Sequence, residues 1–258
     1  MLRKTISVVC LVLFITLCSF RLQTTDGYYN IIYIGDSITQ AGQVKDAQTY
    51  GPAAQSTAYL LKKNIFKNVQ FSNQGRSGFT TVDFLPSSKK AYPKVIEAAN
   101  TFYNEKSATL LFSIMLGTND SAIKGPNGSP VSPEQYHDNL KTLTDSLFKR
   151  YPDCKVIYHN PIWYSDSTHN RSTYLVEGRE RLQSYRPQLK LLVNEYKTIH
   201  PGQVFLGDKK GFKYFKKHYL TDMNTEKGPS GVFYLHPNQK GSASLGELWG
   251  KAIAKALK

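Results

Sequence analysis

Cysteine is scarce in this chain. There are three in 258 residues, and two of them, Cys10 and Cys18, fall in the first apolar run. Cys154 is then alone in the rest of the chain, which excludes an intramolecular disulfide scaffold and leaves too few thiols for a structural zinc site. Histidine numbers only 6, with no two at metal-ligand spacing, so neither a metal nor a cofactor is called for. Acid is short as well: 19 Asp and Glu stand against 33 Lys and Arg, a formal charge of +14. Such a balance favours anionic partners such as nucleic acid, membrane surfaces or acidic polysaccharides. Yet the lysines are scattered, and the densest pairs, Lys62-Lys63, Lys89-Lys90, Lys209-Lys210 and Lys216-Lys217, are short. No arginine-rich arm or zinc-finger spacing is present, so the basic surface reads as solvated and no nucleic-acid partner is expected. Internal repeats, low-complexity tracts and linkers are absent too, which leaves one domain of ordinary apolar content.

No apolar run reaches the roughly 20 residues of a comfortable membrane span. The run from Ile6 to Phe20 follows Arg3 and Lys4, the pattern of a secretory leader. The division expected is a leader over residues 1–25 and a folded domain over 26–258. Ile15-Thr16-Leu17-Cys18 weakly resembles a lipoprotein cleavage site, with Leu17 where a small residue belongs. A lipid on Cys18 is the one membrane attachment the sequence suggests. The location expected is exported: periplasmic, cell-surface or secreted.

What the chain does have is an alternation of short apolar runs and amphipathic stretches. Strands are predicted at 29–34, 68–72, 108–116, 155–160 and 203–206. Helices are predicted at 52–66, 90–105, 132–151, 177–199 (broken or restarted near Pro187) and 240–257. Segment 207–231 has no clear period. Strand–helix alternation implies right-handed crossovers, hence an α/β fold with a five-stranded parallel sheet covered on both faces. Open sheets of this kind gather ligands at the carboxyl ends of their strands.

Three successive strands end in turns equipped for acyl transfer. Ile31-Ile32-Tyr33-Ile34 runs into Gly35-Asp36-Ser37, offering Ser37 as a nucleophile that needs a base to take its proton. Asp36 suits the turn itself, its carboxylate holding backbone N–H groups. The second strand ends at Asn73-Gln74-Gly75-Arg76-Ser77-Gly78, where Gly75 N–H can approach a substrate. The third ends at Gly117-Thr118-Asn119-Asp120, where the Asn119 amide can donate. Ser37 N–H, Gly75 N–H and Asn119 together would form an oxyanion hole, whose donors are each worth about 3 to 4 kcal/mol in the transition state. The base is expected to be His236, in Leu235-His236-Pro237-Asn238, where proline stiffens the corner and Asn238 can cap the last helix. His159, at the end of the fourth strand, is the second choice.

Gly35-Asp36-Ser37, Gly75, Gly117-Thr118-Asn119-Asp120 and His236-Pro237-Asn238 resemble four ordered blocks of the SGNH, or GDSL-type, serine hydrolases, and span nearly all of the chain after the leader. The resemblance implies a flavodoxin-like three-layer α/β/α sandwich. It also implies Ser37 as nucleophile, His236 as base, and Ser37, Gly75 and Asn119 as oxyanion donors. One position departs. The family usually carries aspartate three residues before the histidine, and here that residue is Phe233. A backbone carbonyl or another acid, Asp222 and Glu226 being nearest, would replace it; otherwise the site is a dyad or a non-catalytic, sugar-binding relative. Exported members of the family often remove acetyl groups from polysaccharides or sialic acids. An acetylated carbohydrate is therefore the expected substrate, with longer acyl esters or thioesters the alternative. Trp163, Tyr164, Tyr50 and Phe79 are candidate aromatic faces for sugar rings. Asn119, Asn127 and Asn170 stand in glycosylation sequences. A glycan on Asn119 would block the site, which points to a bacterial source.

Overall fold

The five apolar runs pair as parallel strands in the computed structural model, which describes residues 27–104, 107–125 and 127–257. The predicted leader, with Cys10 and Cys18, lies outside the described residues. No helix among those described is long and apolar enough to cross a membrane. The strands are β1 (Tyr28–Gly35), β2 (Asn68–Gly75), β3 (Thr109–Met115), β4 (Lys155–Tyr158) and β5 (Val204–Leu206), in the order β2-β1-β3-β4-β5. Ile31 to Ile34 and Leu111 to Met115 are almost wholly buried, as strands covered on both faces must be. In register, Gly35 stands opposite both Gly75 and Met115. The first three strands therefore end flush, and the turns after them leave one edge of the sheet side by side.

Helices fill the two outer layers. On one face α3 (Pro52–Lys62) packs on α8 (Gln239–Ala256), and Tyr33 of β1 stacks on Trp249 between them. The other face carries α4 (Tyr92–Tyr103), α5 (Pro133–Arg150) and α6 (Leu175–Ile199). There Tyr151 donates to Asn100 and Tyr196 packs on Phe148. Short helices α1 (Ser37–Gln40) and α2 (Ala47–Tyr50) follow β1. The start of α5 is capped as its sequence predicts, with Gln135 N–H on Ser132 Oγ at 3.1 Å and Pro133 in the first turn.

Two expectations are corrected. The predicted break at Pro187 is absent, and α6 runs through it. A proline inside a helix costs about 3 kcal/mol. The buried stripe Leu182, Tyr185, Leu189, Leu192, Val193 and Tyr196 outweighs that, each large apolar side chain being worth about 1.5 to 3 kcal/mol. The patternless segment 207–231 holds a helix, α7 (Gly211–Asp222), and most of a hairpin, β6 (Glu226–Gly228) with β7 (Gly231–Phe233). Only Phe212, Phe215 and Asp222 of α7 beyond its first glycine are buried, too narrow a stripe to show as a period.

Candidate active site

Asp36 ends β1 by turning its carboxylate onto the N–H of Ile38 at 2.9 Å, which makes it the N-cap of α1. Ser37 becomes the first helical residue, half-exposed, with its N–H among those a helix start leaves unpaired. Burial pushes the Asp36 carboxyl up to about 6. It pushes neighbouring Asp120, also wholly buried, up to about 7. Two buried carboxyls thus lie close together near the serine turn, each raised by the loss of solvent around it.

The imidazole of His236 meets the serine, with Ser37 Oγ and His236 Nε2 3.0 Å apart. Its backbone is fixed from both sides: Asn224 N–H donates to His236 O at 2.9 Å, and Asn238 caps α8 through Gly241 N–H at 3.0 Å. On the far side of the ring, Nδ1 lies 2.9 and 3.0 Å from the two carboxylate oxygens of Glu226, and Glu226 Oε1 also accepts His236 N–H at 3.2 Å. An acceptor there assigns the ring proton to Nδ1 and leaves the Nε2 lone pair facing Ser37.

Hairpin geometry explains how Glu226 comes to this place. Glu226 and Phe233 are directly opposed in the β6–β7 ladder. Phe233 occupies the position where the resemblance calls for aspartate, and its ring is buried at 1 % exposure. The carboxylate arrives instead from the facing strand, on a side chain one methylene longer. Asp222, the other candidate, is not available. Its carboxylate is buried and held by Lys240 at 2.8 Å, by Tyr214 OH at 2.7 Å and by Thr221. Burial raises its pKa, but those partners prevail and hold it down at about 2.

The oxyanion donors need one correction. Gly75 N–H is spent on Asn73 Oδ1 at 2.9 Å. The residue is glycine because a Cβ there would lie 2.2 Å from Gln40 N, so it serves the packing of β2 against α1. Three residues on, Gly78 has φ +76° and open space where a Cβ would be, and its N–H has no acceptor among the described residues. Ser77 N–H ties this loop to α1 through Gln40 Oε1 at 2.8 Å. Asn119 donates one amide hydrogen to Phe79 O at 2.9 Å and accepts from Tyr174 OH at 2.7 Å, which fixes its plane and leaves the second hydrogen free. Asp120 secures the arrangement by accepting both the N–H and the hydroxyl of Thr81. Both glycines were visible in the sequence; which one kept a free N–H was not.

Three other expectations fail here. His159 is a core residue, 1 % exposed, stacked on Trp249 and hydrogen-bonded to Ser113 Oγ at 2.9 Å and to Asp208 N–H at 2.9 Å. Tyr164 is buried with its hydroxyl on Ser121, and Trp163 is packed on Tyr219, so neither offers an open face. Tyr50 and Phe79 remain half-buried. A residue without any sequence signal, Gln43, brings its amide nitrogen to 3.4 Å from His236 Nδ1 and is exposed beside the site.

The chain matches the GDSL-like Lipase/Acylhydrolase family over residues 33–243. No curated protein matches it in sequence. Among solved structures, it is similar to a lipase/acylhydrolase of Enterococcus faecalis (20 % identity, 89 % of this chain and 97 % of that one, TM-score 0.58). It is also similar to a carbohydrate acetylesterase of Sinorhizobium meliloti (16 %, 88 % and 99 %, TM-score 0.56) and to a catalytic mutant of an acetylxylan esterase of Geobacillus stearothermophilus (17 %, 90 % and 95 %, TM-score 0.58). At such identities the likeness is one of fold.

Proposed function

This chain belongs to the GDSL-like lipase/acylhydrolase family, and from that premise we propose that it is a serine esterase that removes O-acetyl groups from carbohydrates. The hydrogen-bonded series Ser37–His236–Glu226 carries the reading. As Ser37 Oγ attacks the acetyl carbonyl, its proton passes to His236 Nε2, and the resulting imidazolium faces the Glu226 carboxylate. Negative charge on the carbonyl oxygen meets the N–H groups of Ser37 and Gly78 and the free Asn119 amide hydrogen. The sugar alkoxide leaves with the proton from His236. Water, deprotonated by the same imidazole, then releases acetate from the acetyl-serine.

Solved relatives of this fold include the two acetylesterases above, and polar residues stand near the serine, with Gln43 exposed beside His236 and Gln40 of α1 holding Ser77 N–H. Both favour a small acyl group on a sugar. An exported protein with its leader removed belongs to the same reading. N-terminal sequencing of the mature protein checks it, the expected start lying between Cys18 and Asp26.

The deciding assay is hydrolysis of 4-nitrophenyl acetate and butyrate by the purified protein beside Ser37→Ala. Expected are turnover of acetate, a steep fall to butyrate, and a loss of roughly a thousandfold or more in the variant. A rise from acetate to butyrate would replace the acetylesterase by an enzyme for longer acyl chains. Equal background in both proteins would mark a non-catalytic relative.

A further inference from the structure

Four helices of this fold carry an ion pair of their own. Lys94 meets Glu97 on α4, Lys141 meets Asp145 on α5, Arg181 meets Glu177 on α6, and Lys251 meets Glu247 on α8. α7 is different. Lys213, Lys216 and Lys217 share one exposed face at helical spacing, and Lys209 and Lys210 are exposed just before its first turn. Among the described residues none of the five makes an ion pair; Lys210 only adds its charge near buried Asp208. The one acid of the helix, Asp222, faces inward and is taken by Lys240 of α8. Arg186 adds a further cation by standing over the ring of Phe212 at 5.9 Å. Like charges three and four apart disfavour a helix, so the row is carried at a cost to the fold.

Position gives the row its meaning. The loop before α7 leaves the carboxyl end of β5 and is tied to the end of β4 by Asn160 N–H on Asp208 O at 2.9 Å. The helix ends at the same edge, where Asp222 O accepts Asn238 N–H at 3.0 Å and Tyr219 packs on Trp163 and Tyr234. With both ends at one edge, α7, kinked at His218, lies along it rather than returning across the sheet. Four residues past its end stands Glu226, hydrogen-bonded to His236. The lysine face is therefore a shelf on the helix that leads into the Glu226 hairpin.

We propose that this shelf binds the anionic chain of the substrate, and that the substrate is an O-acetylated polyuronate rather than a neutral glycan. The inference rests on the esterase reading of Ser37, which requires an acyl ester on the bound polymer. Regularly spaced carboxylates suit a row of flexible ammonium groups. A membrane surface fits less well. An interfacial helix sinks an apolar face, whereas the apolar face of α7, Phe212 and Phe215, is buried in the protein and only Leu220 is exposed among the lysines.

The test compares wild type with the triple variant Lys213→Gln/Lys216→Gln/Lys217→Gln on three substrates: an O-acetylated polyuronate, acetylated xylan and 4-nitrophenyl acetate. Expected is a fall in kcat/KM of roughly tenfold on the polyuronate alone. The wild-type rate on that polymer should also drop between about 20 and 200 mM salt, as the Debye length shortens. Equal losses on both polymers, or none on either, would overturn the proposal. So would binding to anionic phospholipid vesicles that the triple variant abolishes while the polyuronate kinetics stay unchanged. If 4-nitrophenyl acetate is turned over no faster than by Ser37→Ala, the esterase reading fails, and polyuronate retention in affinity electrophoresis then decides the shelf: retention that the triple variant loses supports it, and no retention by wild type overturns it.

Discussion

Glu226 brings a carboxylate to His236 from a position other than the one the family pattern assigns. Its carboxylate spans Nδ1 and the backbone N–H of His236, so Glu226→Gln keeps the shape but removes the charge that stabilises the imidazolium and frees the ring to flip tautomer. We expect kcat on 4-nitrophenyl acetate to fall by roughly a hundredfold or more with KM little changed. Asp222→Asn, by contrast, should lose stability, since it removes the charge of a buried carboxylate held by Lys240, Tyr214 and Thr221, yet leave Nδ1 its acceptor. His159 yields a pH prediction of known sign. Burial pushes its pKa down from 6.5 to about 3, and Nδ1 already accepts Asp208 N–H, leaving no room for a second proton. Below pH 6.5 the unfolded chain takes up a proton that the folded chain refuses, so this share of stability is full above pH 6.5 and is lost as pH falls toward 3. Asp36 and Asp120, raised by burial to about 6 and 7, act in the opposite direction over the range above 3.8. Urea unfolding of wild type and His159→Gln isolates the histidine. The deficit of the variant should shrink by on the order of 4 kcal/mol between pH 7 and pH 3. Cys154 is buried at 1 % exposure, and burial raises its thiol far above the usual range. It should react with a thiol reagent only after unfolding.

At the scale of elements, the β6–β7 hairpin is the part on which the site depends most. It is docked on the loop after β4 by Ser167 Oγ on Val232 O at 2.6 Å, by Tyr234 N–H on Ser165 Oγ at 2.9 Å and by His169 beside Ser230. A Cβ on Gly228 would stand 1.7 Å from the carbonyl oxygen of His169, so Gly228→Ala must lift the strand that carries Glu226. We expect kcat to fall more than tenfold with a small drop in Tm, because few core side chains lie in the hairpin. Steady-state kinetics beside a thermal melt check this. The strands, and the helices with a wide apolar stripe, were legible in the sequence because burial on a face imposes a period. α7 and the hairpin were not. Their register is set by what they dock on, and the three-residue strands are too short to carry an alternation.

Over the whole molecule, a formal charge of +14 is spread on most surfaces but left unpaired in a row on one helix. Lys94 has an acid three residues on, where Lys213 has Lys216. What the linear order does not give is the sheet edge along which α7 lies.

The sequence by itself determined the parallel five-stranded sheet, the serine at the end of its first strand and the histidine at the proline corner, because each is written in local composition and in the turn chemistry of a few neighbouring residues. Asp36 and Asn238 cap their helices as their positions require. Only the tertiary structure decided between Asp222 and Glu226, since the choice turns on which strand faces Phe233 and which carboxylate Lys240 has already claimed. It likewise decided between Gly75 and Gly78, through a single Asn73 side chain, and sent His159, Trp163 and Tyr164 into the core. Those choices depend on which donors and acceptors are spent elsewhere, and that accounting exists only once distant segments are in contact.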